Sequence, residues 1–208
     1  MKLGMILLIA LSAFGCNDKK YKPEEWIRYV QSDESGLKRE VTVGECRMEV
    51  QYYPPSYWKA KALLEGKTYT GTQDSFARFK VYFSTPEKTK SLAHSIANNR
   101  EEYTRILEYL DGDARYDFLF KQGADTNLTA MYHYERTYDL VPFDCINLAF
   151  PFSADRDDAF VIEYHDNMFC FGIQKFLFNE KTLKKVNHIE FISQCGVSAQ
   201  SDPVVPRQ

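Results

Sequence analysis

Side chains that could do acid–base chemistry together are sparse in this sequence. His133 and Glu135 lie two positions apart in a segment with strand character, so both should project from one face, about 7 Å apart. That arrangement suits an acid/base pair or two metal ligands. Two polar side chains on the wet face of a sheet explain the same spacing, and the sequence favours this second interpretation.

The other reactive residue types form no recognised catalytic or metal-binding motif. The sequence has no GxSxG, HExxH, phosphate-loop or dinucleotide-binding pattern. Asp111 and Asp113 resemble the start of a calcium loop, but Arg115 stands where the third oxygen ligand belongs, which favours a helix-ending turn. Cys145 and Cys170 have no adjacent cation to stabilise a thiolate. We therefore predict no catalytic residue, no metal ligand and no cofactor.

An aromatic cluster surrounds the Pro54-Pro55 pair. Aromatic side chains held at a proline-stiffened corner can stack on sugar rings or fill a pocket in a partner protein. They can also cover the end of a sheet as part of the core, and the sequence favours that role. The cluster nevertheless supplies the candidate ligand contacts of this chain, which are Tyr52, Tyr53, Tyr57 and Trp58.

The first sixteen residues resemble the signal segment of a bacterial lipoprotein. Lys2 is followed by an apolar stretch that ends in Ala13, Phe14, Gly15 and Cys16. The stretch of residues 3–15 is too short for a bilayer span, which needs about 20 residues. Small residues flank the expected cut before Cys16, which is similar to a lipobox. The resemblance implies cleavage after residue 15 and acylation of Cys16, with the membrane as a partner through the acyl chains.

The remaining chain also resembles the uncharacterised small envelope lipoproteins of Bacteroidota-type bacteria, which have a polar tether and a Tyr/Phe-rich domain. This resemblance implies attachment to the outer membrane and no particular activity. The tether carries one acid, Asp18, followed by Lys19 and Lys20. That pattern slightly favours the periplasmic face, while the cell surface stays open.

Charge and cysteine content narrow the function classes. The net charge is −3, and it becomes −4 when residues 1–15 leave with Lys2, so nucleic acid is not an expected partner. Four cysteines remain after Cys16, namely Cys46, Cys145, Cys170 and Cys195. An exported compartment permits disulfides among them, and three pairings of all four are open.

Hydrophobic periodicity predicts an α+β fold. The first half supplies most of the helices, beginning at residues 23, 56 and 99, together with strands at 37–43, 47–53 and 77–83. The second half reads as an antiparallel sheet or sandwich, with strands at 116–120, 128–138, 142–150, 159–164, 169–178 and 186–192. A further helix is expected to begin at the capping residues 84–87.

The predicted organisation has four parts. Residues 1–15 are the signal peptide, 16–22 the lipidated tether, 23–195 a single α+β domain and 196–208 a disordered tail. The expected function is that of a non-enzymatic envelope protein that binds another protein or a glycan, or supports an assembly. The alternative is an envelope glycan or peptidoglycan hydrolase whose carboxylates come together only on folding.

Overall fold

The computed structural model describes residues 20–138, 140–152, 158–169, 171–187 and 189–192. Cys16, the predicted signal peptide and the predicted tail lie outside these residues. The described helices are α1 (Pro23–Gln31), α2 (Pro55–Leu64), α3 (Leu92–Ile96), α4 (Arg100–Asp111) and α5 (Glu180–Asn187). The described strands are β1 (Lys38–Val43), β2 (Cys46–Tyr53), β3 (Phe76–Ser84), β4 (Phe118–Gln122), β5 (Asp125–Leu128), β6 (Met131–Glu135), β7 (Asp144–Pro151), β8 (Phe160–His165) and β9 (Ile173–Phe178).

The strands form two antiparallel sheets. The first has the order β1-β2-β3-β7-β6, and the second has the order β5-β4-β8-β9. The chain passes from the second sheet to the first between β5 and β6, where the amide of Ala130 donates to the carbonyl of Ala149. At the opposite edges, Arg39 Nε on β1 donates to the carbonyl of Leu177 on β9 at 2.9 Å. The predicted α+β class with antiparallel sheets is confirmed.

Alternation along each strand decides which side chains enter the space between the sheets. In β3, Ala77, Phe79, Val81 and Phe83 are buried, as the sequence predicts, and the residues between them face the other way. The core is strongly aromatic: the ring of Phe160 lies 5.1 Å from those of Tyr52, Phe120 and Phe178 between centroids. Tilted and edge-to-face ring pairs of this kind add to the stabilisation from apolar burial alone.

Three helices meet at one end of the two sheets. Trp26 of α1 is fully buried, and its Nε1 donates to Ser56 Oγ of α2 at 3.1 Å. Ser56 Oγ in turn donates to the carbonyl of Val186 in α5 at 2.7 Å. Ser56 therefore joins three elements that are far apart in sequence, and it fixes how α2 leaves the end of β2.

Replacing Ser56 with alanine should lower the free energy of unfolding by about 2 kcal/mol. The change leaves a buried indole N–H and a buried carbonyl without their hydroxyl partner, and each unsatisfied group carries a desolvation penalty. Urea denaturation of the purified protein measures the effect. Ser95→Ala in α3 is the control because Ser95 is exposed. Equal stability of both variants would contradict the role of Ser56.

The prediction of a strand at 186–192 is wrong, because the first part of this segment belongs to helix α5. Asn179 Oδ1 accepts from the amide of Thr182 at 2.9 Å and caps the helix, although the sequence suggested a turn there. Leu183 and Val186 are both buried, at helical spacing. The apolar residues of α5 are too few to show a helical period in the sequence.

Two smaller predictions also need correction. Residues 84–87 do not begin a helix: Ser84 ends β3, and the amide of Lys88 donates to the carbonyl of Thr85 in a turn. The predicted single strand 128–138 is divided between β5 and β6. No helix among the described residues is long and apolar enough to cross a bilayer.

Candidate functional site

The outer face of the five-stranded sheet carries a row of polar side chains. The register aligns Gln51 of β2 with Lys80 of β3, Lys80 with Asn147 of β7, and Asn147 with His133 of β6. Because each of these residues faces away from the core, their side chains share one surface. The row crosses four strands, and no local sequence pattern connects its members.

Two helices build a wall along this face. Pro54 follows the last residue of β2, and Pro55 begins α2, so the chain turns sharply and places Tyr57 and Trp58 beside Tyr53. The ring of Tyr57 lies 4.8 Å from that of Tyr53 and 5.3 Å from that of Trp58. Gln31, at the end of α1, donates to the hydroxyl of Tyr57 at 3.4 Å and extends the wall.

Two pockets adjoin on this face and share Gln31, Tyr53 and Tyr82 in their linings. We call them together the groove. The Arg47 pocket, of about 420 Å³, lies towards the hairpin between β1 and β2. The Trp58 pocket, of about 610 Å³, lies beneath α2. Volumes of this size are typical of sites for small molecules or short segments of a polymer.

The Trp58 pocket is rich in cations. The guanidinium of Arg78 lies 4.8 Å from the centre of the Trp58 ring, and Lys61 Nζ lies 5.6 Å from it. Lys80 and His133 complete the basic lining, and none of the lining residues is Asp or Glu. The Trp58 Nε1 is buried and has no hydrogen-bond partner among the described residues. Buried donors without a partner are rare and are often satisfied by water or a ligand.

An ion pair lies at the centre of the sheet face. Lys80 Nζ is 2.8 Å from Glu135 Oε1, which also accepts from Asn147 Nδ2 at 2.8 Å. Burial alone would raise the pKa of Glu135, but the bonds from Lys80 and Asn147 outweigh it and hold that pKa below its usual value. Burial would lower the pKa of Lys80, but the hydrogen bond and charge of Glu135 raise it above its usual value. Both groups are therefore charged at neutral pH.

Cys145 lies beside this pair and is not a reactive thiolate. Its side chain is fully buried and free of any disulfide. Burial, followed by the charge of Glu135, raises the pKa of the Cys145 thiol to about 12. The thiol is therefore protonated at neutral pH, and it donates a hydrogen bond to the carboxylate of Glu135.

The Arg47 pocket has a different charge balance. Arg47 bonds to Glu40 and, at 2.8 Å, to Glu49. Glu49 also lies 3.9 Å from Lys38 and 4.0 Å from Lys88. The lining of this pocket therefore contains three cationic side chains, Lys38, Arg47 and Lys88, and one carboxylate, Glu49. Ser84 Oγ, in its lining, is buried and has no hydrogen-bond partner among the described residues.

The structure brings three of the four predicted ligand-contact aromatics into the groove. Tyr53, Tyr57 and Trp58 line the Trp58 pocket. Tyr52 does not belong with them: its ring is fully buried between the sheets, 5.1 Å from that of Phe79. Neighbouring residues of a strand face opposite sides, so Tyr52 and Tyr53 cannot both reach the groove.

The other residues that the sequence singled out are placed as follows. His133 is exposed and lines the Trp58 pocket, while Glu135 is held by Lys80 rather than by His133. Asp111 forms an ion pair with Arg136 at 2.8 Å, as suits a residue at a helix end. No group of three His, Cys, Asp or Glu side chains in the described part of the chain could hold a metal ion.

Sequence reasoning missed Arg78, Lys80, Tyr82 and Asn147. The alternation in β3 placed Arg78, Lys80 and Tyr82 together on the solvent-facing side of the strand, and this was the available sequence signal for the site. The alternation did not indicate that α1 and α2 pack along this face, because their position depends on the hydrogen bonds at Ser56.

Comparisons with known proteins leave the family open. No family model matches the chain, and no curated protein matches it. Among solved structures, a DUF4426 family protein from Pseudomonas aeruginosa PAO1 is similar over 69% of this chain and 92% of its own, at 9% identity and a TM-score of 0.31. A similarity of that size supports no conclusion about function.

Proposed function

We propose that this chain is a lipid-anchored protein of the bacterial cell envelope that binds a ligand in the groove. In this proposal the acylated Cys16 attaches the protein to the outer membrane, and the periplasmic face is slightly favoured over the cell surface. The domain that begins near residue 23 binds the ligand. The observation that carries the binding role is the groove itself. Its lining comes from seven separate helices and strands that converge on one face, namely α1, β1, β2, α2, β3, β6 and β7.

The disulfide state of Cys46 supports the exported location. Cys46 is disulfide-bonded, and its partner lies outside the described residues. Disulfides persist in the periplasm and on cell surfaces and are rare in the reducing cytosol. The apolar N-terminal segment that ends at Cys16 provides a route to such a compartment.

The carboxylates of the groove favour binding over hydrolysis. Hydrolysis of a glycosidic bond needs two carboxyl groups about 5–9.5 Å apart, one of them with a raised pKa. Glu49 and Glu135 are separated by the strands β3 and β7, so their backbones are roughly 14 Å apart along the sheet. Each is also bonded to a cation, and the pKa of Glu135 is lowered. A general acid at the position of Glu135 would need a raised pKa instead.

A retention assay tests the proposal against the hydrolase alternative. The full-length protein is immobilised in detergent and incubated with glycans released from the envelope of its host. We expect these glycans to be retained intact, because the groove offers contacts without an acid pair. Mass spectrometry of the bound and unbound fractions measures both retention and cleavage.

A blocking variant makes the assay specific for the groove. His133→Trp places a large side chain at an exposed position in the Trp58 pocket, so it should abolish retention without disturbing the core. Thr126→Trp, at an exposed position of the second sheet, is the matched control and should retain glycan normally. Cleavage products that appear with the wild-type chain would favour the hydrolase. Equal retention by both variants would show that the groove is not the binding site.

A further inference from the structure

Two segments that are far apart in sequence form one corner of the domain surface. Tyr21 makes a parallel β-bridge with Phe191. The amide of Tyr21 donates to the carbonyl of Glu190 at 3.1 Å, and the amide of Ile192 donates to the carbonyl of Tyr21 at 3.0 Å. The backbone next to Lys20 is therefore fixed to the domain. We call residues 20–22 and 189–192 the entry corner.

Two helices hold the entry corner in place. The ring of Tyr21 lies 4.9 Å from that of Trp26, which is fully buried in α1. On α2, Lys59 Nζ lies 6.0 Å from the centre of the Phe191 ring. The corner therefore has a fixed position at the end of the sheets where α1, α2 and α5 meet at Ser56.

The distance between Cys16 and this corner is short. Residues 17–19 separate Cys16 from Lys20, and an extended chain advances at most about 3.6 Å per residue, so the two lie within about 14 Å of each other. A domain of about 170 residues is roughly 40 Å across. If the acyl chains of Cys16 lie in a bilayer, the opposite end of the domain cannot be the part that faces it.

The exposed surface of the entry corner is compatible with lipid headgroups. Ile192 is 46% exposed, and Phe191 is half-buried beside it. Glu190 forms an ion pair with Lys20 at 3.3 Å, which weakens the repulsion between this carboxylate and phosphate groups. Long lysine side chains such as that of Lys22 can place their stems on apolar surface and their charge among the headgroups.

We infer that the short tether holds the entry corner against the lipid headgroups, with Ile192 and Phe191 as its membrane contacts. This inference rests on the proposed function, because it needs the acylated Cys16. It adds that the anchor also orients the domain. Ile173 lies at the end of β9 remote from α5, about 17 Å along the strand from Phe178, and should therefore lie away from the bilayer.

Fluorescence quenching in vesicles tests the inference. The lipidated full-length protein is reconstituted into phosphatidylcholine vesicles, with or without bromine atoms on the acyl chains near the headgroups. Ile192→Trp places an indole at the entry corner, and Ile173→Trp is the matched control because Ile173 is 62% exposed. After subtraction of the wild-type emission, we expect brominated lipid to lower the emission of Ile192→Trp about twofold, because its indole reaches the boundary between headgroups and acyl chains. The emission of Ile173→Trp should not change.

Two further variants separate the role of the tether from an effect of one substitution. Lys22→Trp is a second probe of the same corner, since Lys22 is exposed and its side chain makes no capping bond to α1. A tether lengthened by about twelve Gly and Ser residues before Lys20 lets the domain turn away from the bilayer. In that chain Ile192→Trp should lose its quenching, because so small an apolar contact adsorbs only weakly.

The outcomes distinguish this inference from the proposed function. Equal quenching of Ile192→Trp and Ile173→Trp would overturn the orientation, as would the absence of quenching from both Ile192→Trp and Lys22→Trp. Full quenching that persists with the longer tether would overturn the role of the tether. Fatty-acid labelling of Cys16 and flotation of the protein with the vesicles decide the anchoring separately, and glycan retention decides the role of the groove.

Discussion

Replacing Cys46 with serine is expected to lower the free energy of unfolding by about 4 kcal/mol. Cys46 is disulfide-bonded and Cys145 is free, and a bridge from β2 to either Cys170 or Cys195 would close a loop of more than 100 residues. Cross-links that close loops of about 100 residues restrict the unfolded chain most strongly, which is the main source of their stabilisation. Urea denaturation of the wild-type and variant proteins at neutral pH measures the difference.

The reducing agent dithiothreitol provides the matched control. It should lower the urea midpoint of the wild-type protein to that of Cys46→Ser and should leave the variant unchanged. Cys145 does not complicate the comparison, because it is free of any disulfide. A wild-type midpoint that is insensitive to the reducing agent would show that the bridge does not stabilise the fold.

The sequence predicts those elements whose stability depends on local alternation or on capping. The inward face of β3 and the Asn99 cap of α4 follow from neighbouring residues, and both are present. Helix α5 was missed because its buried face consists of Leu183 and Val186 alone. Its position is fixed instead by Ser56, which is more than a hundred residues away in the chain.

The groove could be predicted only in part, for a related reason. The proline corner drew attention to Tyr53, Tyr57 and Trp58, which are close in sequence and line the Trp58 pocket. Their partners on the sheet floor, including Lys80 and Asn147, come from strands whose pairing is not encoded locally. Adjacent residues of a strand face opposite sides of the sheet, so Tyr53 faces the groove while Tyr52 lies in the core.

Replacing Cys16 with serine is expected to abolish lipidation and to leave uncleaved or soluble protein. Each buried CH₂ of an acyl chain contributes about 0.8 kcal/mol, so the loss of two or more chains exceeds any stability effect discussed above. Fatty-acid labelling followed by separation of membrane and soluble fractions measures both lipidation and attachment.

The disulfide allows the loss of the anchor to be separated from a failure of export. Cys16→Ser keeps the signal segment, so the protein should still reach an oxidising compartment and form the bridge to Cys46. A chain that begins at residue 20 should remain in the reducing cytosol, lack the bridge and unfold at the lower urea midpoint of Cys46→Ser. Fatty-acid label on the Cys16→Ser protein would contradict acylation at Cys16. If the chain that begins at residue 20 still forms the disulfide, the disulfide no longer supports export of the protein.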